Sequence, residues 1–247
     1  MPVIPPRRRT PLRRPSLRRL APLRRLARDQ SGLALLEFAF ALPLVLGVGM
    51  YGIECANLAM VNMRLSQIAL NLADNASRVG DTGSTMQQLR ETDISDVLQA
   101  TRLQGASMDL TTNGRVTLSS LEAPSGVQRI HWQRCIGLKS AAGYASTYDK
   151  STGTIDANDG SDTTPANQGV TQPQGMGDGT QKVLSPNNSG VMYVEIYYDF
   201  KPLVGSLFMT PAKLKYTASF IVRDNRDFSK IYLSTAGKRA TCDLFTT

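Results

Sequence analysis

A single carboxylate interrupts the most apolar stretch of this chain. Residues 33–53 span 21 positions, and Glu37 is the one charged side chain among them. This length is sufficient to cross the roughly 30 Å hydrocarbon core of a bilayer as a helix. A carboxylate inside a membrane costs roughly 2.5–3.5 kcal/mol on insertion scales. We therefore expect Glu37 to have a functional partner.

The basic charge of the chain lies ahead of this stretch. Ten arginines and Asp29 give residues 1–32 a formal charge of +9, whereas the whole chain carries +8. Six prolines accompany the arginines, and this composition predicts a disordered leader over residues 1–32. Basic residues beside a membrane span stay in the cytoplasm. The sequence thus predicts a cytoplasmic N-terminus, a transmembrane segment at 33–53 in the inner membrane and a periplasmic domain at 54–247.

A nucleic-acid partner is not expected, because residues 1–32 contain no aromatic side chain on which a base could stack.

The residues around Glu37 form a recognisable pattern. A basic leader, a glycine, four apolar residues and a glutamate at the start of a span resemble the processing site of type IV prepilin-like proteins. The fuller pattern is similar to that of the TadE family of Tad (Flp, type IVb) pilus pseudopilins, and it consists of Gly32, Glu37, Phe38, Ala39 and Pro43. Residues 194–203 and 218–223 also look like the β part of TadE proteins.

The resemblance implies a function in assembly and no catalytic activity. It implies that a prepilin peptidase cuts between Gly32 and Leu33 and removes the leader. It also implies that Glu37 pairs with the new α-amine of Leu33 in an assembling neighbour. The implied partners are the inner membrane, the peptidase, other Tad pilins or pseudopilins and the membrane assembly platform.

Two other interpretations of the apolar stretch stay open. It could be an uncleaved anchor of a structural envelope protein, with Glu37 close enough to the interface to reach water. It could also be an ordinary signal peptide, although the apolar region of such a peptide is typically 7–15 residues, shorter than residues 33–53.

The remaining periodicity predicts an α+β fold. An apolar stripe with 3.6-residue periodicity extends the first helix to residue 79, and a second helix is predicted over 85–104. Strands are predicted at 115–121, 127–136, 191–200 and 214–223, the last two with clean alternation. We expect a long transmembrane and amphipathic helix packed on a small antiparallel sheet with one buried face. Residues 140–190 are polar and predict a long surface loop. The stripe of the first helix consists of Leu58, Val61, Leu65, Ile68, Leu72 and Val79.

The cysteines and the single histidine carry the other predictions. Cys135 and Cys242 are predicted to share the periplasm, where disulfides persist, so we expect them to pair; two free thiols are the alternative. Cys55, at the end of the span, is expected to be buried and unpaired. His131 is expected to be structural, and the acidic loop at 156–162 departs from the spacing of a calcium loop. No cofactor or metal site is predicted.

Overall fold

The structure is a computed structural model that describes residues 32–83, 85–140, 143–148, 155–234 and 239–246. The predicted leader lies outside the described residues except for Gly32. The chain falls into two compact units, divided between Gly49 and Met50. Each unit is treated by itself below.

Helix α1 spans Leu33–Arg78 and confirms the long N-terminal helix. Pro43 lies inside it, which membrane helices tolerate because the freed backbone groups find other partners. The last turn closes when the N–H of Val79 donates to the carbonyl of Asn75 at 3.0 Å. Gly80 follows with a φ of 155°, a conformation that side chains rarely adopt, and the helix ends there.

Helix α2 spans Glu91–Gln104, so the predicted start at residue 85 is wrong. The preceding residues are extended because they pair with other segments: Gln87 bridges to Arg226, and Arg90 bridges to Tyr232. The Asp93 carboxylate accepts the backbone N–H of Arg90 at 2.9 Å and caps the helix at its observed start.

A short helix, α3 (Leu110–Asn113), leads into the sheet. Within the described residues the sheet has five strands in the order β3-β2-β1-β4-β5, and all neighbours are antiparallel. The short strand β3 was not predicted. The strands are β1 (Gly114–Glu122), β2 (Arg129–Ile136), β3 (Val170–Thr171), β4 (Gly190–Phe200) and β5 (Ala212–Ile221).

One face of the sheet packs against the helices, which confirms the α+β class and the predicted stripe of α1. Leu65, Ile68 and Leu72 of α1 are buried in this core, and Leu58, Val61 and Val79 pack at its margin. The predicted inward residues of β4 all belong to it. They are Met192, Val194, Ile196, Tyr198 and Phe200.

The opposite face of the sheet is also covered, which corrects the predictions of a single buried face and of a polar loop without core residues. Tyr148 and Met176 are 4% and 0% exposed, and they pack in a second core cluster with Leu121 and Tyr193. The carboxylate of Glu195 is fully buried and accepts hydrogen bonds from Ser146 Oγ and the backbone N–H of Thr147. Partly buried apolar side chains of the same segment pack against this cluster; they are Ile155, Val170 and Val183.

A buried ion pair joins α2 to the sheet. Arg134 of β2 and Glu91, the first residue of α2, form a two-pronged contact: Nη2 to Oε1 at 2.5 Å and Nε to Oε2 at 3.1 Å. Both side chains are almost completely buried. Paired hydrogen bonds offset the desolvation of the two charges. The pair therefore sets where the N-terminus of α2 lies on the sheet.

Candidate functional site

The junction between Gly32 and Leu33 is exposed and directly precedes α1. The carbonyl of Gly32 accepts the N–H of Leu36 at 3.1 Å, the first hydrogen bond of the helix. A Cβ added to Gly32 would meet no atom within 4 Å, and the residue does not occupy the left-handed backbone region. The packing of the chain itself therefore does not require glycine at this position.

Glu37 is exposed on α1, one turn after Leu33. Residues four apart lie on the same face of a helix, so Glu37 shares a face with the residue that follows the predicted cleavage. Among the described residues, no ion pair or hydrogen bond involves its carboxylate. Phe38 beside it is also exposed. The structure thus gathers Gly32, Leu33, Glu37 and Phe38 at one helix end, and their roles stay predictions.

Within the described residues, one helix is long and apolar enough to cross a membrane, judged by its length and composition, and that helix is α1. Its large apolar side chains before Met50 are exposed within the part of the chain that the structure describes. Leu35 and Leu44 are 74% and 73% exposed.

Glu54 is a second carboxylate on α1, which sequence reasoning did not identify as a contact residue. Its side chain is completely buried, and Oε1 accepts the backbone N–H of Val204, from the connection between β4 and β5. Oε2 is buried without a partner. The available signal was spacing, because Glu54 precedes Leu58 by four residues and so continues the apolar stripe.

The predicted disulfide between Cys135 and Cys242 is confirmed, with Cα atoms 4.8 Å apart. It secures the C-terminal segment to β2, where the N–H of Cys135 also donates to the carbonyl of Ala240 at 2.7 Å. Arg115 reinforces the same contact by donating to the carbonyls of Cys242 and Leu244 at 2.6 and 2.8 Å. Cys55 is unpaired as expected, but it is only partly buried.

His131 lies in a buried polar cluster that does not have the geometry of a hydrolase. Its Nδ1 is 2.8 Å from Glu122 Oε2, and the hydroxyl of Ser120 donates to Glu122 Oε1 at 2.8 Å. A catalytic serine would have its hydroxyl on the imidazole. Here the serine contacts the carboxylate, and His131 Nε2 is buried without a partner. The cluster joins β1 to β2.

A cavity of about 480 Å³ beside this cluster is lined by Glu122, Arg129, Asp224 and Arg226 among others. Arg226 is buried, and desolvation lowers the pKa of its guanidinium to about 10. Its Nη2 donates to the carbonyls of Ala76 and Val79 at 3.1 and 2.7 Å. Its Nε and Nη1 are shielded from solvent and have no hydrogen-bond partner among the described residues. Arg226 therefore acts as a C-terminal cap of α1.

Among the described residues, no group of three or more His, Cys, Asp or Glu side chains is arranged to hold a metal ion. The carboxylates of the loop at 156–162 bind the loop itself. Asp156 Oδ1 accepts the N–H of Asn158, and Asp162 Oδ1 accepts the N–H of Thr164, both at 2.8 Å. Burial raises the pKa of Asp159 in the same loop.

The chain was compared with known proteins at three levels: no family model matches it, no curated protein matches it, and no solved structure matches it. Function therefore has to be inferred from the chain's own residues.

Proposed function

We propose that the protein is a single-pass inner-membrane protein of pseudopilin type that takes part in Tad (Flp) pilus biogenesis. The observation that carries the proposal is the start of α1. The helix begins at Leu33, directly after an exposed Gly32, and the one charge of the apolar stretch lies one turn further on. A prepilin peptidase acting between Gly32 and Leu33 would release a mature chain that is helical from its first residue.

Two properties of Gly32 support this cleavage. The junction is exposed, so a protease reaches it without unfolding the domain. The space around Gly32 is empty, so its small size meets no need of the fold. A peptidase with a small pocket before the scissile bond would supply the missing reason for glycine.

The exposure of Glu37 supports an assembly role. Placing an unpaired carboxylate in a bilayer costs free energy, and pairing with an opposite charge reduces that cost. Cleavage creates a positive α-amine at Leu33, about 6 Å from Glu37 along the axis of α1. An amine from a neighbouring copy or a related pilin, paired with Glu37, would join two helices without any catalytic step.

The domain from residue 54 onward fits the periplasm. The disulfide between Cys135 and Cys242 persists in an oxidising compartment, and the +9 leader favours a cytoplasmic start. A reporter that is active only in the periplasm, fused after Thr247, should be active. A stable but inactive fusion would contradict this topology.

N-terminal sequencing of the full chain, expressed with and without a prepilin peptidase, tests the processing step. The mature protein should begin at Leu33 only when the peptidase is present. Gly32→Leu should block the cut by filling the small pocket, and Gly32→Ala should retain part of it. Gly47→Leu is the matched control, because Gly47 is also surrounded by empty space on α1 but lies far from the junction.

The results separate the proposal from the two alternatives. A protein that still begins at Met1 beside an active peptidase would favour the uncleaved envelope anchor. A start beyond Glu54 would favour an ordinary signal peptide. If processing occurs, Glu37→Ala should be cut normally but should fail to enter crosslinked complexes with pilins, whereas Leu44→Ala should enter them.

A further inference from the structure

The connection between β4 and β5 carries an unusual apolar surface. We define the apolar loop as residues 201–211, which contain two highly exposed leucines: Leu203 is 68% exposed and Leu207 is 82% exposed. Leu207 is the most exposed large apolar side chain of the described residues. Burying a leucine side chain in an apolar environment is favourable, and the chain itself buries neither of these two.

Contacts with α1 define where the apolar loop lies along that helix. Tyr216 of β5 donates its hydroxyl hydrogen to Asn62 Oδ1 at 2.5 Å. Val204, in the apolar loop, donates its N–H to Glu54. From Asn62 to Glu54 the helix descends eight residues, about 12 Å at 1.5 Å per residue. The apolar loop therefore lies beside the residue that directly follows the apolar stretch 33–53.

Lysines stand at both ends of the apolar loop. Lys201 Nζ donates to the side-chain oxygen of Asn113 at 3.0 Å, and Lys213 Nζ donates to the carbonyl of Gly143 at 3.1 Å. Within the described residues neither ammonium forms an ion pair, although the Lys213 ammonium also lies 5.1 Å from the ring centre of Tyr144. An apolar tip flanked by basic residues is typical of segments that bind at a membrane interface, where anionic headgroups meet the charges.

We propose that the apolar loop is a second membrane contact, which inserts Leu203 and Leu207 into the leaflet from which α1 emerges. The inference rests on the proposed function insofar as residues 33–53 must span the membrane. The buried Glu54 links the two contacts, because its carboxylate holds the apolar loop at the level of the helix exit. The domain is then docked on the bilayer at two points.

Depth-dependent quenching in the full chain tests this. The protein is reconstituted in phosphatidylethanolamine and phosphatidylglycerol vesicles that contain lipids brominated on the acyl chain. In a Cys55→Ser background, the two other native cysteines are joined in the disulfide. A single introduced cysteine is then the one thiol that carries the fluorophore. Three positions are labelled separately: Leu207→Cys in the apolar loop, Val45→Cys in the span, and Leu103→Cys as a control.

Leu103 is a matched control because it is 65% exposed and lies on α2, outside both of the proposed membrane contacts. Quenching at 45 and 207 but not at 103 is the expected result. Quenching at 45 alone would overturn the apolar-loop proposal and leave the membrane anchor intact. No quenching at 45 would overturn the anchor and with it the proposed function. Equal quenching at 103 and 207 would indicate unspecific adhesion and would also overturn the apolar-loop proposal.

A second pair of variants tests whether the exposed leucines drive the insertion, with the label kept at position 207. Leu203→Ser in the Leu207→Cys protein should reduce quenching at 207, because it removes the remaining exposed leucine of the apolar loop. Leu184→Ser should leave it unchanged, since Leu184 is also exposed but lies in the segment on the opposite face of the sheet. Equal quenching in both variants would contradict an insertion driven by the leucines.

Discussion

The two halves of α1 have the same backbone geometry and different surroundings. In residues 33–53 the apolar side chains are exposed, whereas in residues 54–78 a stripe that includes Leu65 and Leu72 is buried against the sheet. The carboxylates differ in the same way: Glu37 has no partner among the described residues, and Glu54 is buried against Val204. The second half is stabilised by the chain itself. The first half lacks such contacts among the described residues, and in the proposed function a bilayer covers it.

The largest expected difference between the two halves of α1 is the stability lost when a leucine is truncated to alanine. Leu65→Ala should lower the free energy of unfolding by about 2–5 kcal/mol, because it removes buried methyl groups and leaves a cavity. Leu44→Ala should leave the stability of the domain unchanged, since Leu44 is 73% exposed and its truncation uncovers little buried surface. Denaturant unfolding in detergent, followed by the fluorescence of Trp132, measures both. Equal losses would show that the first half also packs against the domain.

The disulfide provides the next comparison. Cys242→Ser removes a disulfide that joins two residues 107 positions apart in sequence. Loss of such a bond typically lowers the free energy of unfolding by about 2–4 kcal/mol. Cys55→Ser, at the boundary between the two halves, should have little effect because that thiol is unpaired. The same unfolding experiment applies. A Cys242→Ser protein as stable as the wild type would mean that Arg115 and the backbone contacts already secure the C-terminal segment.

A matched pair of tyrosines gives a smaller difference. Tyr216→Phe removes the hydrogen bond to Asn62 and should cost about 0.5–1.5 kcal/mol. Tyr51→Phe, in the exposed half, should cost less because that side chain is half-exposed and lies outside the core of the domain. A larger loss for Tyr51 in thermal or denaturant unfolding would contradict the comparison.

The smallest expected effect is a pH dependence of the free energy of unfolding, which arises from Asp199 in the domain. Partial burial raises the pKa of Asp199, but hydrogen bonds from Lys139 and Tyr144 outweigh it and hold the pKa below its ordinary value. The stabilisation from Asp199 is therefore present above the ordinary carboxyl pKa of about 3.9 and is lost as the pH falls through the lower folded value.

Unfolding midpoints between pH 5 and pH 2 measure this effect. The difference between wild type and Asp199→Asn should shrink as the pH falls. Leu44→Ala, in the exposed half, should give the same pH profile as the wild type, because it changes no titratable group. A difference that stays constant down to pH 2 would mean that Asp199 is not stabilised by its partners.

The sequence predicted which helices and strands form better than it predicted the residues at which they begin and end. The alternation of β4 and β5 and the stripe of α1 repeat over many residues, so their burial was predictable from periodicity alone. The start of α2 was not predictable, because Gln87 and Arg90 are drawn into bridges with residues far along the chain. Of the candidate site, the disulfide is confirmed by the structure, whereas the cleavage and the pairing of Glu37 stay predictions.

By itself the sequence was sufficient to predict the long apolar helix, the charge asymmetry before it and the pairing of Cys135 with Cys242, because the first two depend on composition along the chain and the third was expected from a shared oxidising compartment. The tertiary structure alone decided the contact of Glu54 with Val204, 150 residues away, and the ion pair between Glu91 and Arg134, 43 residues apart. It also decided that Met176 is buried. The physical reason is that local periodicity reports which face of an element is apolar, whereas the group that covers a given residue depends on which distant segment folds against it.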